Sequence, residues 1–318
     1  MDNLLEKLLR ITAIAGLSIK ETIRKKLLFF LLASCIIFIA SGAGCTSACS
    51  GMSDNGMEMQ YTEQKKQIQK MNSPDKKEIL LQLENEYQAA RKDSKDKLQK
   101  VLTVVVYSIT CFWLFLIAAV FTPFTVMNDF NLRTHVMVLA RPVSRWEYLL
   151  GKFSSIIFIM LLNLSIMLVF SGLFSYWSVG NPGFIVLKGI LVFSQGLIVF
   201  TSMMLFFSLT IGRLPSVFLG LVLPWLTVIP AVNLINGEIP AALSAGSIFT
   251  YVFGYGLPQF SVNYFYALSF VIDDMDFLKN MHKIGNNTGL YSIFINTAWL
   301  VFFWILSIFV LKQKDIET

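Results

Sequence analysis

The chain reads GILVFSQGLIVFTSMMLFFSLTIG from Gly189 to Gly212, and no residue in that run carries a charge. A helix needs about 20 predominantly apolar residues to cross the hydrocarbon core of a bilayer. A helix that is apolar on all sides is buried in a large protein or in a membrane. The run therefore predicts a membrane-spanning helix, and a second charge-free run, Leu214 to Gly237, follows directly after Arg213.

The composition extends this prediction to the whole chain. Hydrophobic residues make up 55% of its 318 residues, charged residues only 14%, and the mean hydropathy is +0.63, whereas soluble domains are about a quarter charged. The charges are crowded into a few segments, as expected when a charge inside the bilayer is costly. The net charge of +6 does not indicate nucleic-acid binding, because the basic residues fall at the ends of the apolar runs.

The charge-free runs predict an all-α integral membrane protein with six transmembrane helices. The predicted spans are 27–44, 101–127, 153–177, 186–210, 215–237 and 289–311. A cleavable signal peptide is the alternative for the first run, but the charged stretch before it is too long for a signal-peptide n-region.

Lys and Arg residues near the span ends predict the orientation, because cytoplasmic loops carry an excess of them. In a six-span arrangement the basic residues of 1–26, those of 128–152, Arg213 and those of the tail 312–318 share one side. This side is therefore predicted to be the cytoplasm. The segment 45–100 is long and nearly charge-balanced, so it weighs little in the rule and is placed outside.

The region 238–288 complicates the count, because it contains a further charge-free stretch from Ile239 to Ile272. A single crossing there would move the C-terminal tail outside, and two further full crossings would need a longer stretch. The cluster from Gly254 to Pro258 favours a re-entrant hairpin of two half-helices, since non-helical backbone at membrane depth is tolerated where it is buried in protein or lines a cavity.

The insert 45–100 is the only sizeable polar segment, and its pattern predicts a helical hairpin. Ser73 and Pro74 are typical of a helix start, and the apolar residues that follow recur at helical spacing into the second span. A solvated hairpin and a docking site for an extracytoplasmic partner are both open interpretations. Cys45 and Cys49 lie where a disulfide is open as well.

The chain lacks catalytic and metal-binding motifs, so no catalytic residue, metal site or cofactor is predicted on it. Gly151 and Lys152 are followed by Phe153 and do not form a P-loop. His135 and His282 fall on opposite sides of the predicted topology and have no metal-ligand spacing.

The predicted spans also contain no carboxylate, which argues against proton-coupled transport. Asn163 and Gln195 are the polar residues nearest mid-span. They are candidates for the translocation path, with interhelical hydrogen bonding as the alternative.

The segment 128–152 reads NDFNLRTHVMVLARPVSRWEYLLGK and resembles the signature of ABC-type exporter permeases of the type-2 family. In that signature an acidic residue and a Gly-Thr pair precede an apolar stretch, which is followed by Arg/Lys-Pro-Val-Ser-Arg and then Leu-Gly-Lys. Thr134 falls at the Thr position and Asp129 stands for the acidic residue. Arg133 replaces the usual Gly, which is a departure.

The resemblance implies a fold, a location and partners. It implies an N-terminal interfacial elbow helix within 1–26 and a re-entrant element before the sixth helix, in the plasma (inner) membrane of a bacterium or archaeon with both termini cytoplasmic. The implied partners are a P-loop ATPase subunit, which would carry ATP and Mg²⁺, and a second permease copy, either identical or a paralogue. The lipid bilayer surrounds the complex.

The resemblance also implies that 128–152 couples the permease to its ATPase. The candidate coupling residues are Asp129, Arg133, Thr134, Arg141, Pro142, Arg145 and Lys152. The basic residues among them could meet acidic ATPase residues or lipid phosphates. The alternative is that they only anchor the ends of the spans.

The functional hypothesis is therefore a non-catalytic permease subunit of an ATP-driven transporter, and more specifically of an exporter. A membrane scaffold or sensor whose insert binds a partner is the alternative from another class. A secondary carrier, whose transport would survive ATP depletion, is a third hypothesis.

The topology is tested by labelling two single-cysteine variants, Gln69→Cys and Lys314→Cys, with a membrane-impermeant maleimide in intact cells. We expect labelling at position 69, because the insert is predicted to lie outside, and none at position 314 until the membrane is opened. Labelling at position 314 in intact cells would contradict the predicted orientation.

Overall fold

The computed structural model of the chain describes residues 2–24, 27–70, 76–131, 144–179, 189–236, 252, 256–270 and 288–314, with some side chains inside these helices left out. The described elements are helices. We number them in chain order as α1 Asp2–Arg24, α2 Leu27–Lys70, α3 Lys76–Asn131, α4 Arg145–Val179, α5 Ile190–Ile211, α6 Arg213–Leu226, α7 Val228–Asn236, α8 Phe260–Ser269 and α9 Thr288–Lys314.

Five stretches of the described helices are long and apolar enough to cross a membrane. They are Val104–Asn128, Arg145–Phe170, Ile190–Ile211, Arg213–Asn233 and Gly289–Gln313, and they fall on the last five predicted spans. The first predicted span, 27–44, is the N-terminal part of α2, where many side chains lie outside the described residues. The crossing by residues 27–44, which would bring the total to six, therefore stays a prediction.

Helices α2 and α3 pair as a long antiparallel hairpin that continues beyond the apolar stretch. Gly42 faces Val105 and Ile109, whose side chains would be 3.7 and 3.1 Å from a Cβ placed on the glycine. Further along the hairpin, the rings of Tyr61 and Tyr87 stack with centroids 4.4 Å apart. In each contacting pair the two residue numbers add up to nearly the same value. This is expected when two helices run antiparallel without a shift between them. The described parts of the insert are thus extensions of the helices on either side.

The fifth crossing, predicted over 215–237, falls on one candidate span, Arg213–Asn233. A one-residue turn at Thr227 separates its two helices, α6 and α7. Pro224 lies inside the last turns of α6, and a proline there cannot donate the backbone hydrogen bond of a regular helix. Thr227 keeps right-handed helical backbone angles, and its N–H and C=O still bond to Leu223 and Ala231, four residues away on either side, so the span is locally distorted and not broken.

The short helix α8 has 10 residues, which at about 1.5 Å per residue is half the thickness of the hydrocarbon core. It packs closely against the starts of α5 and α9 through glycines. A Cβ on Gly189 would come closer than 3.0 Å to the carbonyl group of Ala267, and one on Gly289 would overlap the ring of Tyr266. A half-helix agrees with the predicted re-entrant element, but the first half of that element lies outside the described residues and the hairpin stays a prediction.

The interior between α3, α5 and α8 is filled by aromatic rings in edge-to-face contact. Phe115 contacts both Phe200 and Phe193, with ring centroids 5.0 and 5.6 Å apart, and Phe200 contacts Phe260 at 5.3 Å. Phe193, Phe200 and Phe260 are buried almost completely. These contacts fix the distance between the half-helix and the two spans beside it.

The close packing of α8 predicts that Gly189→Ala destabilises the protein by about 1–3 kcal/mol, because the added methyl group has no room and the neighbouring atoms are backbone. Gly16→Ala in α1 is the matched control. A Cβ there meets nothing within 4 Å, so its higher helix propensity should stabilise by up to about 1 kcal/mol. Unfolding of both variants in detergent micelles measures the difference, and equal stability of the two would contradict the described packing.

Candidate functional site

Helix α4 begins within the predicted coupling segment 128–152, and a capping interaction lies at its first turn. The backbone N–H of Ser144 donates to Oε2 of Glu147 at 3.0 Å, which is one half of a capping box. Glu147 is only 2% exposed, and its position in the first turn also places a carboxylate at the positive end of the helix dipole. The Ser-Arg-Trp-Glu sequence thus fixes where the segment 132–143 ends and the helix starts.

Helix α1 crosses α4 at Gly151. A Cβ on that glycine would lie 2.8 Å from Cβ and Cγ2 of Ile14 and 3.2 Å from the carbonyl oxygen of Ile11. Only a residue without a side chain permits so close an approach of the two helices. One turn further along α1, the hydroxyl of Ser18 accepts a hydrogen bond from Nζ of Lys152 at 3.2 Å.

Two further hydrogen bonds tie the same end of the molecule together. Nη1 of Arg145 donates to the carbonyl oxygen of Lys312 near the C-terminal end of α9, at 3.2 Å. Nδ2 of Asn128, near the end of α3, donates to Oε1 of Glu21 in α1 at 3.3 Å. The segment between α3 and α4 is therefore flanked on both sides by residues bonded to α1 or α9.

The structure describes the side chains of two candidate coupling residues. Lys152 is 7% exposed and Arg145 is half-buried, and both donate to groups of the same chain. Arg133, Thr134, Arg141 and Pro142 lie outside the described residues, as does the side chain of Asp129. Their role in coupling stays a prediction.

A network of side-chain amides joins α5, α8 and α9 inside the membrane region. Nδ2 of Asn263 donates to Oε1 of Gln195 at 2.9 Å, and Nε2 of Gln195 donates to the carbonyl of Ile293 at 2.8 Å. The hydroxyl of Ser292 donates to Oδ1 of Asn263 at 2.6 Å. Both ends of each of these amides are thus used within the protein.

Asn296 makes a similar contact one turn away. Its Oδ1 accepts from the backbone N–H of Gln259 at 2.7 Å, and its Nδ2 donates to the carbonyl of Gln259 at 3.4 Å. The amide side chain takes the place of a backbone partner where the chain enters α8.

The two polar residues that were candidates for the translocation path have different surroundings. Gln195 belongs to the amide network. Asn163 is fully buried and its Nδ2 donates to the carbonyl of Ile159 in its own helix at 2.8 Å. Neither residue lines the cavity that is described below.

Hydroxyl groups surround the turn at Thr227. Oγ1 of Thr227 donates to the carbonyl of Pro224 at 2.8 Å and lies 2.7 Å from Oγ of Ser261. Oγ of Ser261 is also 3.1 Å from the Pro224 carbonyl. Helix α8 therefore contributes a side-chain contact to this turn of the fifth span.

A cavity of about 580 Å³ lies beside this turn, between α3, α6 and α8. None of the described residues that line it is Asp, Glu, Lys, Arg or His. Aromatic side chains from the three helices form much of the wall: Phe112, Trp113, Phe115, Trp225, Tyr264 and Phe265. The polar groups of the wall are the side chains of Ser108, Cys111 and Ser261, the hydroxyl of Tyr264 and the indole N–H groups of the two tryptophans.

The sequence reasoning missed this cavity. The signals were present as Pro224 in a predicted span and as Ser108 and Ser261 in apolar segments. They did not identify a site, because each of them is equally compatible with a kinked helix and a local hydrogen bond.

The described helices and their packing define a multi-pass α-helical membrane protein whose site combines a tied helix end with an uncharged intramembrane cavity. A family model described as ABC-2 family transporter protein matches residues 12–316. The chain therefore belongs to the ABC-2 transporter family, as the segment 128–152 indicated, and it is the membrane-spanning permease component of an ABC transporter. Searches of curated proteins and of solved structures found no match.

The Lys152–Ser18 contact predicts an asymmetry between two substitutions. Ser18→Ala should destabilise by about 1–3 kcal/mol, because it removes an acceptor from a buried charged group. The same serine substitution in a Lys152→Met background should cost much less, since the group that needs the acceptor is gone. Thr12→Ala is the control on the same helix, because its exposed hydroxyl bonds only to the carbonyl of Leu9 among the contacts described. Chemical unfolding in micelles measures all four, and equal costs of Ser18→Ala in the two backgrounds would refute the contact.

Proposed function

We propose that this permease subunit is driven by a separate P-loop ATPase chain, which engages it through the segment 128–152, and that the complex exports its substrate. The family implies an ATPase partner, and the chain's own sequence has no P-loop. The observation that carries the proposal is the position of the segment. It joins α3, which lines the cavity, to α4, whose first turns are tied to α1 and α9.

The ties to α1 support a mechanism for the coupling. Motion of the ATPase would act on the segment between Asn131 and Arg145. Asn128 and Lys152, on either side of the segment, both bond to α1, so a displacement would be carried by α3 and α4 together with α1. A rigid group of packed helices transmits motion in this way, whereas a mobile loop would absorb it.

The residues of the segment divide into two roles. We assign Asp129, Arg133, Thr134, Arg141 and Pro142 to the ATPase contact. We assign Lys152 to the contact with α1, because it is buried there and donates to Ser18. We assign Arg145 to both roles. It is half-buried, it donates to the carbonyl of Lys312 near the end of α9, and it is the first residue of α4.

A second permease copy, identical or a paralogue, is the further partner. Phe112, Leu221 and Trp225 are exposed although they lie within apolar spans of α3 and α6. Large exposed apolar surfaces on a helix bundle face lipid or another subunit. We place the second copy against this side, so that the two cavities would open towards a shared path.

The coupling is tested by co-purifying the permease with candidate P-loop ATPase subunits from the same organism. Asp129→Asn and Thr134→Val should lower the yield of the complex about tenfold or more while the unfolding temperature of the permease stays unchanged. Side chains that contact another subunit and not the core of their own chain alter its stability by about half a kcal/mol at most. Lys20→Ala, an exposed cation on α1, is the control and should keep the complex.

Arg145 separates two interpretations of the basic residues. Arg145→Lys preserves a donor for the carbonyl of Lys312, so it should keep the fold. If Arg145 also pairs with an ATPase carboxylate through its planar fork, lysine should lose ATP hydrolysis by the complex. Normal assembly and hydrolysis for the Asp129, Thr134 and Arg145 variants together would reject the coupling role and leave the scaffold hypothesis.

A further inference from the structure

The cavity between α3, α6 and α8 has the size and lining of a small-molecule site. Ligand pockets commonly have volumes of about 300–1,000 Å³ and are lined by apolar and aromatic side chains with a few placed polar groups. This cavity holds about 580 Å³. It also lies beside the turn at Thr227, and Pro224, Val228 and Ser261 around this turn are part of its lining.

The aromatic wall favours flat, uncharged ligands. Phe112 and Trp225 stand on opposite helices with ring centroids 6.1 Å apart and edge-to-face, and both are exposed, so they form the mouth. Cys111 and Phe260 are buried and form the floor. An ion in this cavity would lose its hydration, and none of the described lining residues carries a charge that could compensate it.

The polar atoms of the described wall include acceptors and donors. The hydroxyl of Ser108 donates to the carbonyl of Val104 at 2.7 Å, so in its 2.6 Å contact with Tyr264 the tyrosine is the donor. The phenol oxygen of Tyr264, which is part of the lining, then retains an acceptor lone pair for a ligand O–H or N–H. The indole N–H groups of Trp113 and Trp225 are donors in the same lining.

We infer that the cavity binds a neutral, mostly aromatic compound that carries an O–H or N–H donor, and that this compound class is the substrate of the transporter. The statement that this compound class is the substrate rests on the proposed transport function. The proposed binding to the cavity does not depend on it. A saturated lipid chain would leave the acceptor on Tyr264 unmatched, and a phosphate or carboxylate group would bring a charge that no Lys, Arg or His among the described lining residues compensates.

The test uses a matched set of bromobiphenyls that carry a hydroxyl, a methoxy or a carboxylate group, because bromine quenches tryptophan only on contact. The full chain in phosphatidylcholine nanodiscs keeps Trp113 and Trp225 while the other four tryptophans are replaced by Phe. We expect saturable quenching by the hydroxyl compound, about fivefold weaker binding of the methoxy compound and no saturable binding of the carboxylate. A chain that keeps only Trp299 and Trp304, outside the cavity lining, should show only the linear quenching that partition into lipid produces.

Two pairs of variants localise the binding. Tyr264→Phe should bring the hydroxyl compound to the affinity of the methoxy compound, while Tyr266→Phe on the same helix leaves it unchanged. Leu221→Gln, in the cavity wall and 40% exposed, should weaken binding about tenfold, while Phe218→Gln, outside the lining and 68% exposed, should not.

The outcomes separate this inference from the proposed function, because no ATPase is present in the assay. Linear quenching by all three compounds, as expected if lipid or a second copy fills the cavity, would overturn the inference. So would tighter binding of the carboxylate or equal effects within either pair. Failure of the ATPase to co-purify would leave these results unaffected.

Discussion

The hydrocarbon interior of a bilayer offers no partner to a backbone amide or carbonyl, so a chain can leave the helical conformation there only where its own side chains take over. Such a place lies at the start of α8, where the side chain of Asn296 bonds to both backbone groups of Gln259. At Thr227 the backbone angles stay helical, but hydroxyls of Thr227 and Ser261 meet the carbonyl of Pro224. Polar side chains therefore support both of these irregular points, and the cavity lies beside the second one.

Helix α3 connects the parts of the molecule that matter for transport. It runs from Lys76, in the insert, through the cavity wall to Asn131, where the coupling segment begins. Pro123, eight residues before the end of this helix, has no backbone N–H to donate to the preceding turn. Beside it, the guanidinium of Arg213 lies over the ring of Phe124, 3.5 Å from its centroid. A cation over an aromatic face is attractive, so this contact ties the last turns of α3 to the start of α6. In the proposed mechanism, a pull on the coupling segment would reach both helices that form the mouth of the cavity.

Much of the architecture follows from patterns that a sequence carries locally. Apolar run lengths predicted the five crossings that the structure describes, and the segment 128–152 predicted the family. The turn at Thr227 was not predicted, because the hydroxyl of Ser261 that contacts it comes from a helix that is distant in sequence. Likewise, the hydrogen bond from Lys152 to Ser18 was not predicted, because nothing near Lys152 in sequence shows that Gly151 lets α1 approach so closely. Periodicity records which face is apolar and not which distant helix covers it.

The central claim is that occupancy of the cavity and ATP hydrolysis on a separate chain are linked through the segment 128–152. The most direct measurement is the rate of ATP hydrolysis by the purified permease–ATPase complex as the hydroxyl-bearing bromobiphenyl is titrated in. The account predicts saturable stimulation whose half-maximal compound concentration rises about tenfold in Leu221→Gln and stays unchanged in Phe218→Gln. A hydrolysis rate that does not respond to the compound, or that responds equally in both variants, would contradict it.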